Sequence, residues 1–273
     1  MYKILEKKVM SETVKLMKIK APIVAKKAQA GQFIILRIDD KGERIPLTIA
    51  DFDRKKGTIT IIFMEVGKTT KQLGTLKVGD SLENFAGPLG MPSEIKKYGT
   101  VVCIGGGVGI APLYPIVKAL KEAGNHIVSI LGARNEKLLL LEKEIESFSD
   151  EFYIATDDGS KGHKGFVSDV LQEQIDKKEK IDMVMAIGPV IMMKVVADLT
   201  RKYDIKTLVS LNPIMVDGTG MCGGCRVSIG GETKFACVDG PEFDGHLVDF
   251  ENLMLRNRRF IKEEEKSCKL AGV

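Results

Sequence analysis

One short stretch of this chain combines residue types that bind metals. It holds an aspartate and three cysteines whose order reads D-x4-C-x2-C-x11-C: Asp217, Cys222, Cys225 and Cys237. Plant-type [2Fe–2S] sites use C-x4-C-x2-C and a distant fourth cysteine, so the aspartate occupies the place of the first ligand. The intervening glycines allow the loop to wrap closely around a small inorganic core and to direct amide groups at its sulfurs. The spacing predicts a [2Fe–2S] cluster held by three thiolates and one carboxylate.

Two other interpretations of these cysteines remain open. His246 could join them in a Cys3His zinc site, or the thiols could be unligated. The chain has five cysteines in all, and so few, with three close together, favour a metal over disulfides in a reducing compartment. Cys103 lies in an apolar run and is expected in the core, whereas Cys268 is expected in an exposed tail.

The N-terminal part of the chain reads as short strands separated by turns. Residues 13–19 alternate between polar and apolar types, and residues 33–38 and 58–63 are rich in β-branched side chains, which is typical of strands. Closely spaced short strands indicate a small antiparallel barrel. We expect this barrel to span residues 1–98.

From residue 99 the pattern changes to alternating apolar strands and amphipathic helices. A first strand is followed by a glycine cluster and by a helix that ends near Gly124, and further strand–helix pairs continue the alternation. This pattern predicts an α/β domain with a parallel, Rossmann-like sheet over residues 99–212. The glycine-rich region 213–249 is expected to form the cluster-binding loop, and residues 250–273 a charged helical tail.

The glycine cluster lies where a nucleotide-binding loop is expected. Residues 105–109 read Gly-Gly-Gly-Val-Gly, and backbone amides at the positive end of the following helix could hold a pyrophosphate. The cluster does not match the G-x-G-x-x-G fingerprint, so a structural tight turn is the alternative. Three later strand ends would complete the same cleft, although their charged residues could equally be solvated or form turns. The residues expected to contact the nucleotide are Gly106, Gly107, Val108, Gly109, Ala133, Arg134, Asp157, Asp158, Gly188 and Pro189.

Two segments of the barrel suit a phosphate-bearing ligand. The Arg-Ile-Pro-Leu-Thr strand at 44–48 combines a guanidinium with a hydroxyl, and the Val-Gly-Lys-Thr-Thr loop at 66–70 offers amides and hydroxyls before a helix. A plain surface strand and an N-capped helix are the alternatives. The candidate residues are Arg44, Pro46, Leu47, Thr48, Val66, Gly67, Thr69 and Thr70.

Taken in order, these motifs resemble the ferredoxin-reductase-type flavoproteins. The resemblance rests on the R-x-P-L-T strand, the V-G-x-x-T loop, the Gly-Pro-Leu-Gly at 87–90 and the Gly-Gly-Gly-Val-Gly-Ile-Ala-Pro loop, and it covers roughly residues 1–250. It implies that the barrel binds FAD, with the arginine and threonine at the flavin and its phosphates. It also implies that the second domain binds NAD(H).

The cluster region is similar to that of one group of electron-transfer subunits. Residues 215–227 and 235–246 resemble the small subunits of NADH-dependent reduced ferredoxin:NADP⁺ oxidoreductases, in which an aspartate joins three cysteines on the [2Fe–2S] cluster. The resemblance implies hydride exchange between NAD(H) and FAD, and single-electron exchange through the cluster with a larger subunit. That subunit would hold another FAD and [4Fe–4S] clusters, contact ferredoxin, and complete an electron-bifurcating heterodimer.

Two alternatives to this function remain. One is the electron-transfer subunit of an NAD-dependent dihydroorotate dehydrogenase, a relative that carries four cysteines, and the other is a non-enzymatic redox sensor. In the favoured interpretation no side chain acts as a nucleophile or an acid–base catalyst, because the flavin converts two-electron into one-electron transfer.

Charge and hydropathy exclude several other classes of protein. A net charge of +4, from 41 Lys and Arg against 37 Asp and Glu, is spread along the chain and forms no basic stripe of the kind that nucleic-acid binders need. No apolar run approaches the roughly 18–20 residues that cross a bilayer, and the first residues contain no secretory signal. We therefore expect a cytoplasmic protein with no nucleic-acid or membrane partner.

Overall fold

The N-terminal strands form a near-closed antiparallel barrel, as the sequence predicts. The computed structural model describes residues 1–177 and 180–270. The barrel strands are β1 (Tyr2–Val9), β2 (Val14–Lys20), β3 (Phe33–Arg37), β4 (Ile45–Asp53), β5 (Thr58–Met64), β6 (Ser81–Leu82) and β7 (Asn84–Leu89). They pair in the order β6-β1-β2-β5-β4-β3-β7.

Branched aliphatic side chains fill the interior of the barrel. Ile4, Ile19 and Ile61 are completely buried, because alternate residues of each strand point inward. Two short helices accompany the strands: α1 (Pro22–Lys27) and α2 (Lys68–Thr75). Helix α1, which no sequence pattern predicted, begins with a proline in its first turn and buries Val24 and Ala25 in the barrel core.

A parallel sheet with helices on both faces follows, confirming the predicted α/β architecture. Its strands are β8 (Thr100–Gly106), β9 (His126–Ala133), β10 (Glu151–Thr156), β11 (His163–Lys164), β12 (Met183–Ile187) and β13 (Thr207–Ser210), and its helices are α3 (Ile110–Glu122), α4 (Glu142–Glu146), α5 (Val167–Asp176) and α6 (Val190–Arg201). The central strand β8 sends Val102 and Ile104 into the core under α5 and α6, and Val101 and Cys103 into the core under α3. Both faces of β8 are therefore apolar, as in covered parallel sheets.

The glycine-rich region that follows contains more regular structure than the sequence analysis expected. It includes β14 (Arg226–Ile229), β15 (Glu232–Phe235) and β16 (Glu242–Asp244). The first two form a hairpin around Gly230 and Gly231, both of which have positive φ, the geometry that favours glycine in tight hairpins. β16 pairs antiparallel with β13, so this region adds an edge strand to the parallel sheet.

The C-terminal tail forms two helices, α7 (Phe250–Asn257) and α8 (Ile261–Leu270). Phe250 and Leu253 of α7 pack into the core of the second domain, whereas α8 has no buried residue. Cys268 is half-buried on α8 rather than exposed. Across residues 1–177 and 180–270, none of the helices combines the length and the apolar character that a membrane span requires.

Candidate functional site

A cleft of about 900 Å³ lies between the barrel and the parallel sheet. Strands β4 and β5 contribute one wall, and the loops that follow β8, β9, β10 and β12 contribute the opposite wall. Ligands of open parallel sheets bind beyond the carboxyl ends of the strands, which is where these loops lie. The volume is within the range of about 300–1,000 Å³ that is usual for small-molecule and cofactor sites.

The β4 strand presents part of its predicted motif to the cleft. Pro46, Leu47 and Thr48 line it, and Thr48 pairs with Phe33 of β3, an aromatic cleft residue that the sequence analysis missed. Arg44 precedes the strand, is exposed, and does not line the cleft. The apolar barrel wall fits a flat ring system, while a contact between Arg44 and the flavin phosphates remains a prediction.

The Val66–Thr70 loop is both a helix cap and a cleft wall. Thr70 Oγ1 accepts hydrogen bonds from the amides of Val66 and Gly67, each at 3.0 Å, which is the capping arrangement considered as an alternative. Val66 and Thr70 also line the cleft. Gly67 and Thr69 do not line it, and the Thr69 hydroxyl donates to the Glu43 carboxylate at 2.5 Å.

Most of the predicted nucleotide-contacting residues meet at the opposite wall. Asp158 does not line the cleft, because its carboxylate accepts a hydrogen bond from the Ser160 amide at 2.9 Å. Contacts with Ser160 hold the pKa of Asp158 below its ordinary value. The predicted residues that line the cleft are Gly106, Gly107, Val108, Gly109, Ala133, Arg134, Asp157, Gly188 and Pro189.

Gly109 fixes how closely α3 approaches the end of β12. A Cβ atom on Gly109 would lie 2.5 Å from the carbonyl oxygen of Ile187 and 2.8 Å from the Cα of Gly188. These are backbone atoms that cannot rotate away, so any larger residue must push the start of α3 off the strand. The requirement for glycine here comes from close packing and not from backbone conformation, because its φ of −64° suits any residue.

We expect Gly109→Ala to weaken NAD(H) binding about tenfold or more, since overpacking of about 1–3 kcal/mol would displace the amides that are predicted to contact the nucleotide. Calorimetric titration with NAD⁺ measures this change. Glu122→Ala, at the exposed far end of α3, is the matched control and should retain the parent affinity. Unchanged affinity in Gly109→Ala would show that the loop does not contact the nucleotide.

Several cleft residues were not among the candidate nucleotide- or flavin-binding residues named from the sequence. They include the stretch between the parallel sheet and the cysteine loop, which provides Asn212, Pro213 and Met215, together with Pro241 after that loop. Met215 is two residues before Asp217 in the sequence. The predicted cluster loop therefore begins at the wall of the cleft, a position that the spacing of the cysteines alone did not reveal.

The tertiary structure brings two of the predicted cluster ligands together. Cys225 and Cys237 are 2 % and 3 % exposed, and their Sγ atoms lie 3.2 Å apart as free thiols. Burial, reinforced by the hydrogen bond from Cys225, raises the pKa of Cys237 to about 12. A bound cation would reverse this effect, because metals bind the deprotonated thiolate.

The other two predicted ligands lie in the same loop on its exposed side. The Asp217 carboxylate accepts hydrogen bonds from the amides of Thr219 at 2.8 Å and Cys222 at 2.9 Å. These bonds hold the pKa of Asp217 below its ordinary value, and the bond from Thr219 has the largest effect. Cys222 is exposed, and its Sγ accepts from the Gly224 amide at 3.4 Å. An anionic carboxylate and an amide-bonded thiol are suitable ligands for an iron–sulfur centre.

In the described part of the chain, no three histidine, cysteine or acidic side chains converge as a ready-made metal site. The four predicted ligands therefore share one loop without surrounding a common centre, and the ligand set remains a prediction. The zinc alternative is weakened by His246, whose Nε2 lies 3.0 Å from Thr200 Oγ1 on α6. Its ring is engaged by that helix instead of by the cysteines.

Gly218 brings the cluster loop into contact with the barrel. It has a φ of +74°, and a Cβ at this position would lie 2.8 Å from Ile35 Cγ1 and 3.0 Å from Leu89 Cδ1. Ile35 is on β3 beside Phe33 of the cleft, so loop, barrel and cleft meet here. Electron transfer needs such proximity between its redox groups, and only glycine allows this backbone to approach so closely.

Two family models match the chain. The iron–sulfur cluster binding domain of dihydroorotate dehydrogenase B matches residues 212–249, and the oxidoreductase NAD-binding domain matches residues 103–198. Together with the ferredoxin-reductase-like fold, they establish FAD, NAD(H) and a [2Fe–2S] cluster as the cofactors of the chain.

Whole-chain comparisons extend this similarity. A Thermotoga maritima homologue of the dihydroorotate dehydrogenase B (NAD⁺) electron-transfer subunit is 49 % identical over 93 % of this chain and 91 % of its own length. The corresponding subunit of Desulforamulus reducens is 35 % identical over 86 % of this chain and 92 % of its own. A solved structure of an NADH-dependent reduced ferredoxin-NADP oxidoreductase, reported for its flavin-based electron bifurcation, is 46 % identical with a TM-score of 0.94, covering 99 % of this chain and 97 % of that one. The chain therefore belongs to the family of dihydroorotate dehydrogenase B electron-transfer subunits and their homologues.

Proposed function

We propose that this chain is the small, flavin- and iron–sulfur-containing subunit of an electron-bifurcating NADH-dependent reduced ferredoxin:NADP⁺ oxidoreductase. The observation that supports this proposal most directly is the meeting of three elements at one cleft. The barrel wall at Thr48, the glycine loop at Gly107 and the cluster-loop approach at Met215 all line it. A nucleotide, a flavin and a cluster held by these elements would lie next to one another.

The residues of the chain position the redox groups. Bound FAD would supply the conversion between two-electron hydride transfer and one-electron transfer through the cluster. The barrel wall and the 66–70 loop would hold FAD, and the loops after the parallel strands would place the nicotinamide against it. Glycine at 218 keeps the cluster loop close to the barrel. Asp217, Cys222, Cys225 and Cys237 would bind the cluster.

The exposed side of the cluster loop suits a docking partner. Cys222 is exposed there, and the neighbouring apolar side chains Val216, Met221 and Val238 are 53 %, 89 % and 45 % exposed. Exposed apolar groups around a redox centre favour contact with another protein. We propose that a larger subunit with its own FAD and [4Fe–4S] clusters binds this surface as a heterodimer in the cytoplasm and transfers electrons onward to ferredoxin.

The second candidate function is electron transfer to a dihydroorotate dehydrogenase. It is favoured by the family model over residues 212–249 and by the names of several relatives. The aspartate at position 217 favours the bifurcating enzyme, because the resemblance to that group rests on a ligand set of one aspartate and three cysteines.

Reconstitution with each kind of partner tests the proposal. We expect the chain, isolated anaerobically with a larger flavoprotein partner, to support oxidation of NADPH coupled to the reduction of both NAD⁺ and oxidised ferredoxin, and to show no oxidation of dihydroorotate. Activity with dihydroorotate alone would favour the second candidate. A stable monomer that reduces ferredoxin unaided would reject the partner, and absence of NADH-dependent dye reduction by the flavin-loaded chain would favour a redox sensor.

A further inference from the structure

Two arginines of the C-terminal tail contact the backbone of the cluster loop. Nη2 of Arg256 donates a hydrogen bond to the carbonyl oxygen of Gly224 at 3.3 Å, and Nη2 of Arg259 donates to the same oxygen at 3.2 Å. Gly224 lies between two of the proposed cluster ligands, Cys222 and Cys225. Both guanidinium groups are therefore held against the segment that would enclose the cluster.

A third arginine belongs to the same group. Arg226 directly follows Cys225 in the sequence, and its backbone oxygen accepts a hydrogen bond from Nε of Arg256 at 3.0 Å. A Cβ placed on Gly223 would lie 3.4 Å from Nη1 of Arg226, so this side chain also lies over the loop. Three positive charges therefore surround the turn between the cysteines.

Helix α7 determines where Arg256 lies. Asp249 caps its first turn by accepting from the Asn252 amide at 2.9 Å, and Phe250 and Leu253 are 5 % and 1 % exposed. Arg256 is three residues beyond Leu253 and so lies on the same side of the helix. The buried face of α7 thus directs Arg256 toward the cluster loop, and the position is fixed by packing.

None of the three guanidinium groups has an acidic partner within the part of the chain that the structure describes. No salt bridge there includes Arg226, Arg256 or Arg259. Burial, followed by the charges of Arg259 and Arg226, lowers the pKa of Arg256 from its ordinary value. Three neighbouring cations repel one another, and an anion in the loop beneath them would remove that penalty.

We propose that Arg226, Arg256 and Arg259 form a cationic cap that stabilises the reduced [2Fe–2S] cluster and so raises its midpoint potential. The proposal rests on the cluster ligands given under the proposed function. Reduction adds one electron, and therefore one negative charge, to a core already bound by three thiolates and one carboxylate, and no bond forms or breaks. Fixed positive charges nearby favour the more negative state, and arginine keeps its charge at any working pH.

Redox titration of the full chain, prepared anaerobically with its cofactors, tests this cap. The cluster signal is followed by electron paramagnetic resonance, with sodium dithionite as reductant and mediator dyes present. We expect Arg256→Gln and Arg259→Gln each to shift the midpoint to more negative values. At the midpoint potential of the parent, the ratio of reduced to oxidised cluster should fall about three- to tenfold for each charge removed, and further in the double variant.

Two control variants separate charge from structure. Arg256→Lys retains the positive charge and should keep a potential near that of the parent. Arg258→Gln removes a charge from the same segment, at the exposed end of α7, and should leave the potential unchanged. Iron and sulfide contents are measured for every variant, so that loss of the cluster is not mistaken for a change in potential.

Several results would overturn the cap. An unchanged midpoint potential in the double glutamine variant with full iron content would overturn the cap. If that variant also lost affinity for an acidic protein partner, the arginines would serve docking instead of the cluster. Loss of iron in both the glutamine and the lysine variants would show that the arginines only hold the loop. A parent chain that lacks iron would overturn the proposed function itself, and this outcome is seen before any variant is made.

Discussion

Replacing Cys225 with alanine should abolish the [2Fe–2S] cluster while leaving the flavin in place. Cys225 is 2 % exposed and its Sγ lies 3.2 Å from that of Cys237, so no other thiol can take its position without moving the loop. We expect the iron and acid-labile sulfide contents to fall about tenfold or more. Iron and sulfide analysis, together with the visible spectrum of anaerobically purified protein, measures the loss.

Two further substitutions make this experiment specific. Cys268→Ala removes a thiol from the tail helix α8, and we expect it to retain the full iron content. His246→Ala tests the zinc alternative, because the imidazole Nε2 lies 3.0 Å from Thr200 Oγ1 rather than beside the cysteines. Retention of iron in the Cys225→Ala variant, or loss of the metal in His246→Ala alone, would contradict the proposed ligand set.

Glu242→Gln should stabilise the protein at neutral and alkaline pH. The Glu242 carboxyl group on β16 accepts a hydrogen bond from Ser93 Oγ at 2.5 Å, and Ser93 is in the segment that joins the barrel to the parallel sheet. Burial raises the pKa of Glu242 from 4.5 to about 7, although the Ser93 hydrogen bond opposes this shift. Below about pH 7 the folded protein therefore holds this carboxyl group mainly in its neutral form, and a glutamine side chain can keep the bond to Ser93.

The sign of the pH effect follows from proton binding. Between the unfolded value of 4.5 and the folded value of about 7, the folded chain holds a proton that the unfolded chain has released. Stability therefore falls as pH rises through this window and changes no further above it. By pH 8 the parent should have lost about 3 kcal/mol of stability relative to Glu242→Gln, with no such loss below about pH 4.

Urea unfolding of both proteins across that pH range measures the difference. Glu265→Gln removes a carboxylate from the exposed helix α8 and provides the control, for which we expect no pH-dependent change in unfolding free energy. A constant difference between parent and Glu242→Gln at all pH values would show that folding does not raise the pKa of Glu242.

Local sequence patterns were sufficient to predict the barrel and the parallel sheet. Alternation within residues 13–19 and the apolar run at 101–104 reflect which side chains face the core, and that preference repeats along each strand. The position of the nine predicted nucleotide-contacting residues at the cleft could also be predicted from the sequence, because loops at the carboxyl ends of parallel strands necessarily meet at one edge. The D-x4-C-x2-C spacing identified the cluster loop for a similar reason, since its ligands lie close in sequence.

Contacts between distant segments were decided only by the tertiary structure. The pairing of β16 with β13, the close approach of Gly218 to Ile35 and the turning of His246 toward Thr200 each join segments that share no local pattern. The convergence of three arginines on the cysteine loop depends in the same way on how α7 packs against the second domain. Periodicity and spacing report the environment of residues that are close in sequence. These contacts depend instead on which apolar faces of distant helices and strands pack against each other. The amino-acid sequence by itself therefore determined the strands, the helices and the cofactor motifs, and the tertiary structure determined how those motifs meet.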